Sequence, residues 1–219
     1  MYVTHEESIS RLSRIQPLAL TGQFIRLEPI QEGHLQDLVK VGLDPDIWRL
    51  MLYGPMNSEA DLLSWIKDMI RRQAQGKDLP FSVFQVMSGR AIGATRFMNI
   101  DAKNRSLEIG GTWYGKAYHG TGVNVEAKYL LLQHAFEFLG CIRVQLKTDA
   151  RNLQSQKAIL GIGATKEGVL RKHMVLPDGI IRDSVYFSIL DDEWPQVKAN
   201  LEARIRRLIN SMSQAADDS

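Results

Sequence analysis

The sequence predicts an α/β (α+β) fold with a mixed, mainly antiparallel central sheet and helices on both faces. Three observations predict it. Strand-like alternation and helical periodicity succeed each other as strand, helices, three strands, helix, strand, helix, two strands, helix. Short polar turns, Ser88-Gly89-Arg90 and Asp101–Arg105, join the three consecutive strands, so these form an antiparallel meander. A glycine turn and a helix then separate the third of them from a short apolar strand. That step is a parallel crossover and should be right-handed.

Residues 1–21 read as an N-terminal extension of one or two helical turns, ended by Pro17. Gln23–Pro29 alternates as a first strand. Gln31–Gly42 carries Leu35, Leu38, Val39 and Val41 at helical spacing and stops at its glycine. Asp44-Pro45-Asp46 starts a short helical segment. Ser58 caps a helix that runs to about Gln75 and ends at Gly76. The meander strands are Phe81–Val86, Ala91–Ile100 and Ser106–Tyr114. A helix over Val123–Leu139, a strand over Ile142–Lys147 and a helix over Leu153–Gly161 follow. Lys166–Met174 and Ile180–Leu190 pair around Pro177-Asp178-Gly179. A last helix opens at Asp191 and closes the domain near residue 210. Residues 211–219 are a polar tail that should fray.

Composition bounds the function. With 219 residues the chain can bury one full core in a single domain over 22–210. It is 44% hydrophobic and 24% charged, with net charge +2, too mild for a nucleic-acid surface. No stretch has the length and apolarity of a membrane span, and Met1–Leu20 lacks a secretory core, so a cytoplasmic protein is expected. The single cysteine, Cys141, reads as a buried thiol. The five histidines show no metal spacing, so no metal is expected. His134 reads as structural.

The motif that carries most information is His119-Gly120-Thr121-Gly122-Val123-Asn124. A Gly-x-Gly turn opening into a helix brings backbone close to a bound group and presents unpaired N–H donors at the positive end of the helix dipole. It is a candidate phosphate site. The same residues also read as an ordinary tight turn. A nucleotide-dependent oxidoreductase is the first rival, but the third glycine of its fingerprint is missing and the turn follows a meander.

With four further phrases, this turn resembles the GNAT superfamily of acyl-CoA-dependent N-acyltransferases, and within it the Rim-type group that acetylates ribosomal-protein N-termini. The phrases are Arg26-Leu27-Glu28-Pro29, Leu107-Glu108-Ile109-Gly110, Asn152 to Ile159, and Gly168-Val169-Leu170-Arg171 with Arg182-Asp183-Ser184-Val185. The resemblance covers Gly22–Trp194. One departure is Ala117, where the superfamily often has Gln or Arg.

The resemblance implies acetyl-CoA between two splayed parallel strands, Ser106–Tyr114 and Ile142–Lys147. Its diphosphate would lie on the N–H groups of Gly120, Gly122, Val123 and Asn124, with Thr121 adding a hydroxyl and His119 beside them. Its pantetheine would pair with Gly110, Gly111, Thr112 and Trp113, where the glycine pair also reads as a bulge. Lys157 would reach a CoA phosphate or is a plain surface lysine. Glu108 is the expected base, or else a carboxylate paired with Arg96 or Arg105, and Glu28 is a weaker second. Asn152 would bond the cofactor or cap the next helix. Ser155 is the proton-donor candidate and Tyr186 the alternative. Trp48, Trp65 and Trp113 line an acceptor pocket or fill a core. Asp46, Glu59 and Asp61 attract an amine or simply start helices.

The implied activity is acetyl transfer to a primary amine, of a protein N-terminus or a small molecule, by direct attack on the thioester. Loops Asp44–Asn57 and Met174–Ile180 should shape the acceptor site. The alternative is a catalytically silent acyl-CoA sensor or scaffold on the same fold. A homodimer follows from the likeness alone.

Overall fold

A computed structural model of the chain describes residues 4–217. Eight strands form one sheet in the order β1-β2-β3-β4-β5-β6-β8-β7. They are β1 (Leu20–Thr21), β2 (Ile25–Pro29), β3 (Leu79–Gln85), β4 (Ala91–Asp101), β5 (Ser106–Tyr114), β6 (Arg143–Asp149), β7 (Thr165–Val175) and β8 (Ile181–Leu190). Every neighbouring pair is antiparallel except β5 and β6.

Among the described residues seven α-helices cover the sheet: α1 (His5–Ser13), α2 (Leu35–Gly42), α3 (Pro45–Trp48), α4 (Glu59–Ala74), α5 (Val123–Gln133), α6 (Leu153–Gly161) and α7 (Trp194–Asp217). Local signals place several ends. Asp44 Oδ1 accepts the Asp46 N–H, and Ser58 Oγ accepts the Asp61 N–H. Each satisfies a helix-start donor that would otherwise lack a partner.

Alternation along the strands sends apolar side chains to two cores. Leu107, Ile109, Val144 and Leu146 join α5, α6 and α7 on one face. Trp48, Leu62, Trp65, Ile66 and Trp113 pack with α2, α3 and α4 on the other. Burying each such side chain contributes about 1.5–3 kcal/mol. Over β6 and β8 the second face instead carries Gln145, Lys147, Ser184 and Tyr186.

Some expectations shift. The N-terminal segment is tied to the domain: Leu12 of α1 is 2% exposed in the first core, and β1 pairs with β2. A capping box between Thr4 and Glu7 starts α1. The expected Val123–Leu139 helix changes pitch, ending in a π-helical turn over His134–Phe138. There buried His134 stacks on Phe97 and Phe138, and burial pushes its pKa down to about 4. The last helix starts at Trp194 and continues to Asp217, past the expected end. Residues 1–3 and 218–219 of the two expected terminal segments lie outside the described residues.

Candidate active site

The parallel pairing of β5 and β6 covers only Ser106–Glu108 against Arg143–Gln145. Beyond it, β5 continues to Tyr114 and β6 to Asp149 without pairing to each other. The sheet is therefore split at its parallel seam, with open backbone edges on both walls.

On β5 the glycine pair sits in the first wall. Ala94 faces Trp113 and Arg96 faces Gly110, so Thr95 alone opposes Gly111 and Thr112. This is a β-bulge, and Gly111 takes its left-handed position with φ +59°. A Cβ on Gly110 would meet Met98 Sδ at 2.8 Å and Glu108 Oε1 at 3.1 Å. The bulge reading holds, and the bulge bares the strand edge. Thr112 Oγ1 bonds Thr95 Oγ1 at 2.8 Å and accepts from Lys128 Nζ at 2.7 Å. The Trp113 side chain lies in the second core, so only its backbone belongs to the wall.

The glycine turn leads into α5. Gly122 is its N-cap at φ +90°, with no side-chain cap. The first-turn N–H groups of Val123 and Asn124 thus remain available at the positive helix end. The Thr121 hydroxyl donates to Tyr118 O instead, and His119 Nε2 lies 3.2 Å from Tyr114 O. Tyr114 OH donates to Asn124 Oδ1. Ala117, with Val39, Lys40 and Tyr118, lines a groove of about 290 Å³ beside this turn.

Glu108 is 2% exposed. Its Oε2 accepts from Asn99 Nδ2 at 2.9 Å, Gln145 Nε2 at 3.0 Å and Lys147 Nζ at 3.0 Å. The carboxylate thus ties β4, β5 and β6 together at the foot of the split. Its partner is Lys147, whereas Arg96 pairs with Asp78, and Arg105 donates to Gly140 O. Oε1 has no hydrogen bond among the described residues and faces Gly110. It is the oxygen left to receive a proton or orient a water.

Asn152 Oδ1 accepts the Ser155 N–H at 2.9 Å and caps α6. Ser155 therefore stands at the start of α6, just past the end of β6. Lys157 is exposed on α6. Glu28 lies on β2, three strands from β5, and pairs with Arg26.

The tryptophans are core residues. Trp48, Trp65, Trp113 and Tyr53 contact one another with ring centroids 5.2–6.4 Å apart. Asp61 serves the start of α4, where hydrogen bonds from Ser58 and Asn57 hold its carboxyl below the usual range. Burial raises the Cys141 thiol to about 12, which makes it inert.

Sequence reasoning missed three polar groups. Lys147 pairs with Glu108. Lys128 is buried under β5. His173 bonds Tyr186 OH at 3.3 Å and Ser184 Oγ at 3.0 Å. Each arises from strand register or helix docking, which no local motif encodes.

The sheet is split at its parallel pair, with the start of α5, which has no side-chain cap, beside the opening. The chain belongs to the acetyltransferase (GNAT) domain family, whose model matches residues 25–165. It is an acetyltransferase of that family. YdaF of Bacillus subtilis, named as a ribosomal N-acetyltransferase, is 29% identical over 147 residues, covering 67% of this chain and 78% of its own. A crystal structure of an acetyltransferase from T. thermophilus superposes with TM-score 0.80 at 37% identity, covering 87% of this chain and 98% of its own. Mycobacterium smegmatis RimJ, solved in complex with CoA-disulfide, shares the fold at TM-score 0.70 and 23% identity, covering 87% and 94%. The Rim-type likeness of the motifs agrees with the name of the Bacillus subtilis relative.

Proposed function

We propose that this enzyme transfers the acetyl group of acetyl-CoA to a primary amine, of a protein N-terminus or a small molecule. The observation that carries the reading is the split between β5 and β6 with the uncapped start of α5 beside it. The N–H groups of Gly120, Gly122, Val123 and Asn124 would hold the diphosphate. The bulged edge at Gly110, Gly111, Thr112 and Trp113 would pair with the pantetheine amides in the manner of an added strand. Thr121, His119, Asn152, Ser155 and Lys157 complete the expected cofactor contacts.

The chemistry is direct attack of a neutral amine on the thioester carbonyl. Glu108, through Oε1, would take the amine proton directly or by way of a water. Its Oε2 is occupied by Lys147, Asn99 and Gln145, which leaves Oε1 for that task. Its second service is to hold the walls at a fixed separation. The departing thiolate takes a proton from a hydroxyl, for which Ser155 and Tyr186 stand on the elements flanking β6. A homodimer belongs to the same reading, carried by the Rim-type likeness, and a cytoplasmic location belongs to it as the default for a chain of this composition.

Calorimetric titration with acetyl-CoA, CoA and NAD tests it. Binding of acetyl-CoA and CoA but not NAD, lost with a bulky residue at Gly122, is expected, followed by thiol release with a suitable amine. Absence of binding at millimolar acetyl-CoA would sink the reading.

A further inference from the structure

Tyr186, Ser184 and Arg182 are alternate residues of β8 and share its second face. Opposite them, β7 carries a wide irregularity. Leu170 faces Ser184 and Met174 faces Arg182, so three residues of β7 stand against Asp183 alone. Lys172 adopts φ +50° there, and its N–H donates to Asp183 Oδ1 at 2.6 Å. This distortion turns His173 onto the β8 face. Its ring meets Tyr186 edge-on, with centroids 5.6 Å apart.

The hydrogen bonds form one chain. Arg182 Nε donates to Ser184 Oγ at 3.0 Å. Ser184 Oγ lies 3.0 Å from His173 Nδ1. His173 Nε2 lies 3.3 Å from Tyr186 OH. Proton bookkeeping fixes its direction. Ser184 is fully buried, and its oxygen already accepts from a guanidinium that can only donate. Its own proton needs an acceptor, and His173 Nδ1 is the one acceptor beside it among the described residues. Nδ1 is therefore unprotonated. In the neutral ring Nε2 then carries the hydrogen and donates to the phenol oxygen. The phenol proton is left free.

We infer that His173, held as its Nε2–H tautomer by Ser184 and Arg182, is a positioning residue that makes Tyr186 the proton donor to the departing CoA thiolate. This rests on the acetyl-transfer reading above. The amine forms the new C–N bond, the C–S bond breaks, and the electron pair leaves on sulfur. Sulfur takes the Tyr186 proton. The amide nitrogen gives up one proton to Glu108 or water, and solvent returns one to the phenolate. The His173 N–H supports that phenolate without moving its own proton. Lys147 helps, with its ammonium 5.9 Å from the Tyr186 ring centre. Ser155 then keeps only a cofactor contact.

The charged groups facing this pair are Glu108 of β5, Lys147 of β6 and Arg182 of β8, and Arg182 in turn faces Asp149 of β6. Burial first, then the cations Lys147 and Arg182, lower the His173 pKa and keep the ring neutral. Burial, then Glu108, raises the Tyr186 pKa, which keeps the phenol protonated as an acid must be.

Nitrogen-15 NMR of the imidazoles tests the tautomer on the full chain without any substrate. The wild type should show His173 protonated at Nε2, and Ser184→Ala should weaken that preference. An Nδ1–H ring in the wild type would overturn the inference. Kinetics give the second reading. His173→Leu should lower kcat about 10–100-fold, the low end of general-acid contributions, with the acetyl-CoA KM within about twofold. Its alkaline kcat limb should move to higher pH, because the phenolate loses a donor. His173→Gln retains an amide N–H and should recover part of the rate. Unchanged kcat and pH profile in folded His173→Leu would also overturn it. If no amine supports turnover, acetyl transfer fails as a reading, while the NMR result still decides the tautomer.

Discussion

Lys128 Nζ donates to Thr112 Oγ1 at 2.7 Å, and among the described residues no carboxylate shares the ammonium. Lys128 is 5% exposed, wedged between α5 and the bulged wall of the split. Burial alone pushes its pKa from 10.5 down to about 7.

Stability should therefore depend on pH in a defined window. Between about pH 7 and 10.5 the unfolded chain holds this proton and the folded chain releases it. Stability rises with pH wherever the unfolded state binds more protons. Below about pH 7 both states are charged and this contribution is flat at its least favourable value. Denaturant melts of the wild type should strengthen from about pH 7 to about pH 9. Lys128→Met should flatten that slope and raise stability near neutral pH by about 1–3 kcal/mol. An identical slope in the variant would rule the account out.

Glu108→Gln separates catalysis from binding. Turnover should fall about 10²–10⁴-fold, as for loss of a general base. Acetyl-CoA affinity measured by calorimetry should stay within a few-fold. A silent acyl-CoA sensor would show no turnover to lose, and its binding would be equally insensitive.

Glu126 is a carboxylate that receives three backbone donors. It accepts the N–H groups of Gln23, Phe24 and Ile25 at 2.7, 2.7 and 2.9 Å, which docks the β1–β2 connection on α5. A Cβ on Gly22 would lie 2.4 Å from its carboxyl carbon. Glu126→Gln replaces one acceptor oxygen with a donor against these N–H groups. It should cost about 3 kcal/mol in urea unfolding, since charge-assisted bonds are the strong ones.

Gly122 meets two demands at once. Its φ of +90° disfavours any side chain, and a Cβ would lie 2.5 Å from Leu208 Cδ1 of α7. Gly122→Ala should destabilise by about 2 kcal/mol. Leu208→Ala in the same chain relieves the collision but not the backbone strain. The double variant should recover only part of the loss, and acetyl-CoA binding should remain weakened. Full recovery of binding would mean that the glycine serves packing alone.

What was legible in the sequence was local. Ser58 and Asn152 cap their helices because a cap needs only a side chain and the next turn of backbone. The meander, the crossover and the bulged glycine pair follow from alternation, punctuation and the freedom of Gly111. Glu108 could be assigned to the opposite face from Leu107 and Ile109 by counting. Its partner Lys147 could not, because parallel register is set across the crossover. Lys128 depended on how α5 docks, and His173 on a strand irregularity that breaks the counting rule. The tryptophans were ambiguous because an aromatic cluster looks the same as a pocket or as a core. The burial of Leu12 escaped notice because α1 is too short to display a periodic stripe.

The three-residue ladder between β5 and β6 has a consequence for how this enzyme can change. Each wall of the opening comes from a different stretch of chain, one through α5 and one from β6 onward. On the proposed reading, grip on the carrier would rest with the first stretch, through the bulge and the glycine turn. Proton delivery and the facing acceptor surface would rest with the second, through β6 and the β7–β8 hairpin. On that reading a lineage would alter its acceptor by rewriting the hairpin while leaving the carrier's seat intact. Glu108, clasped by residues from both sides, is the position that neither stretch can revise alone.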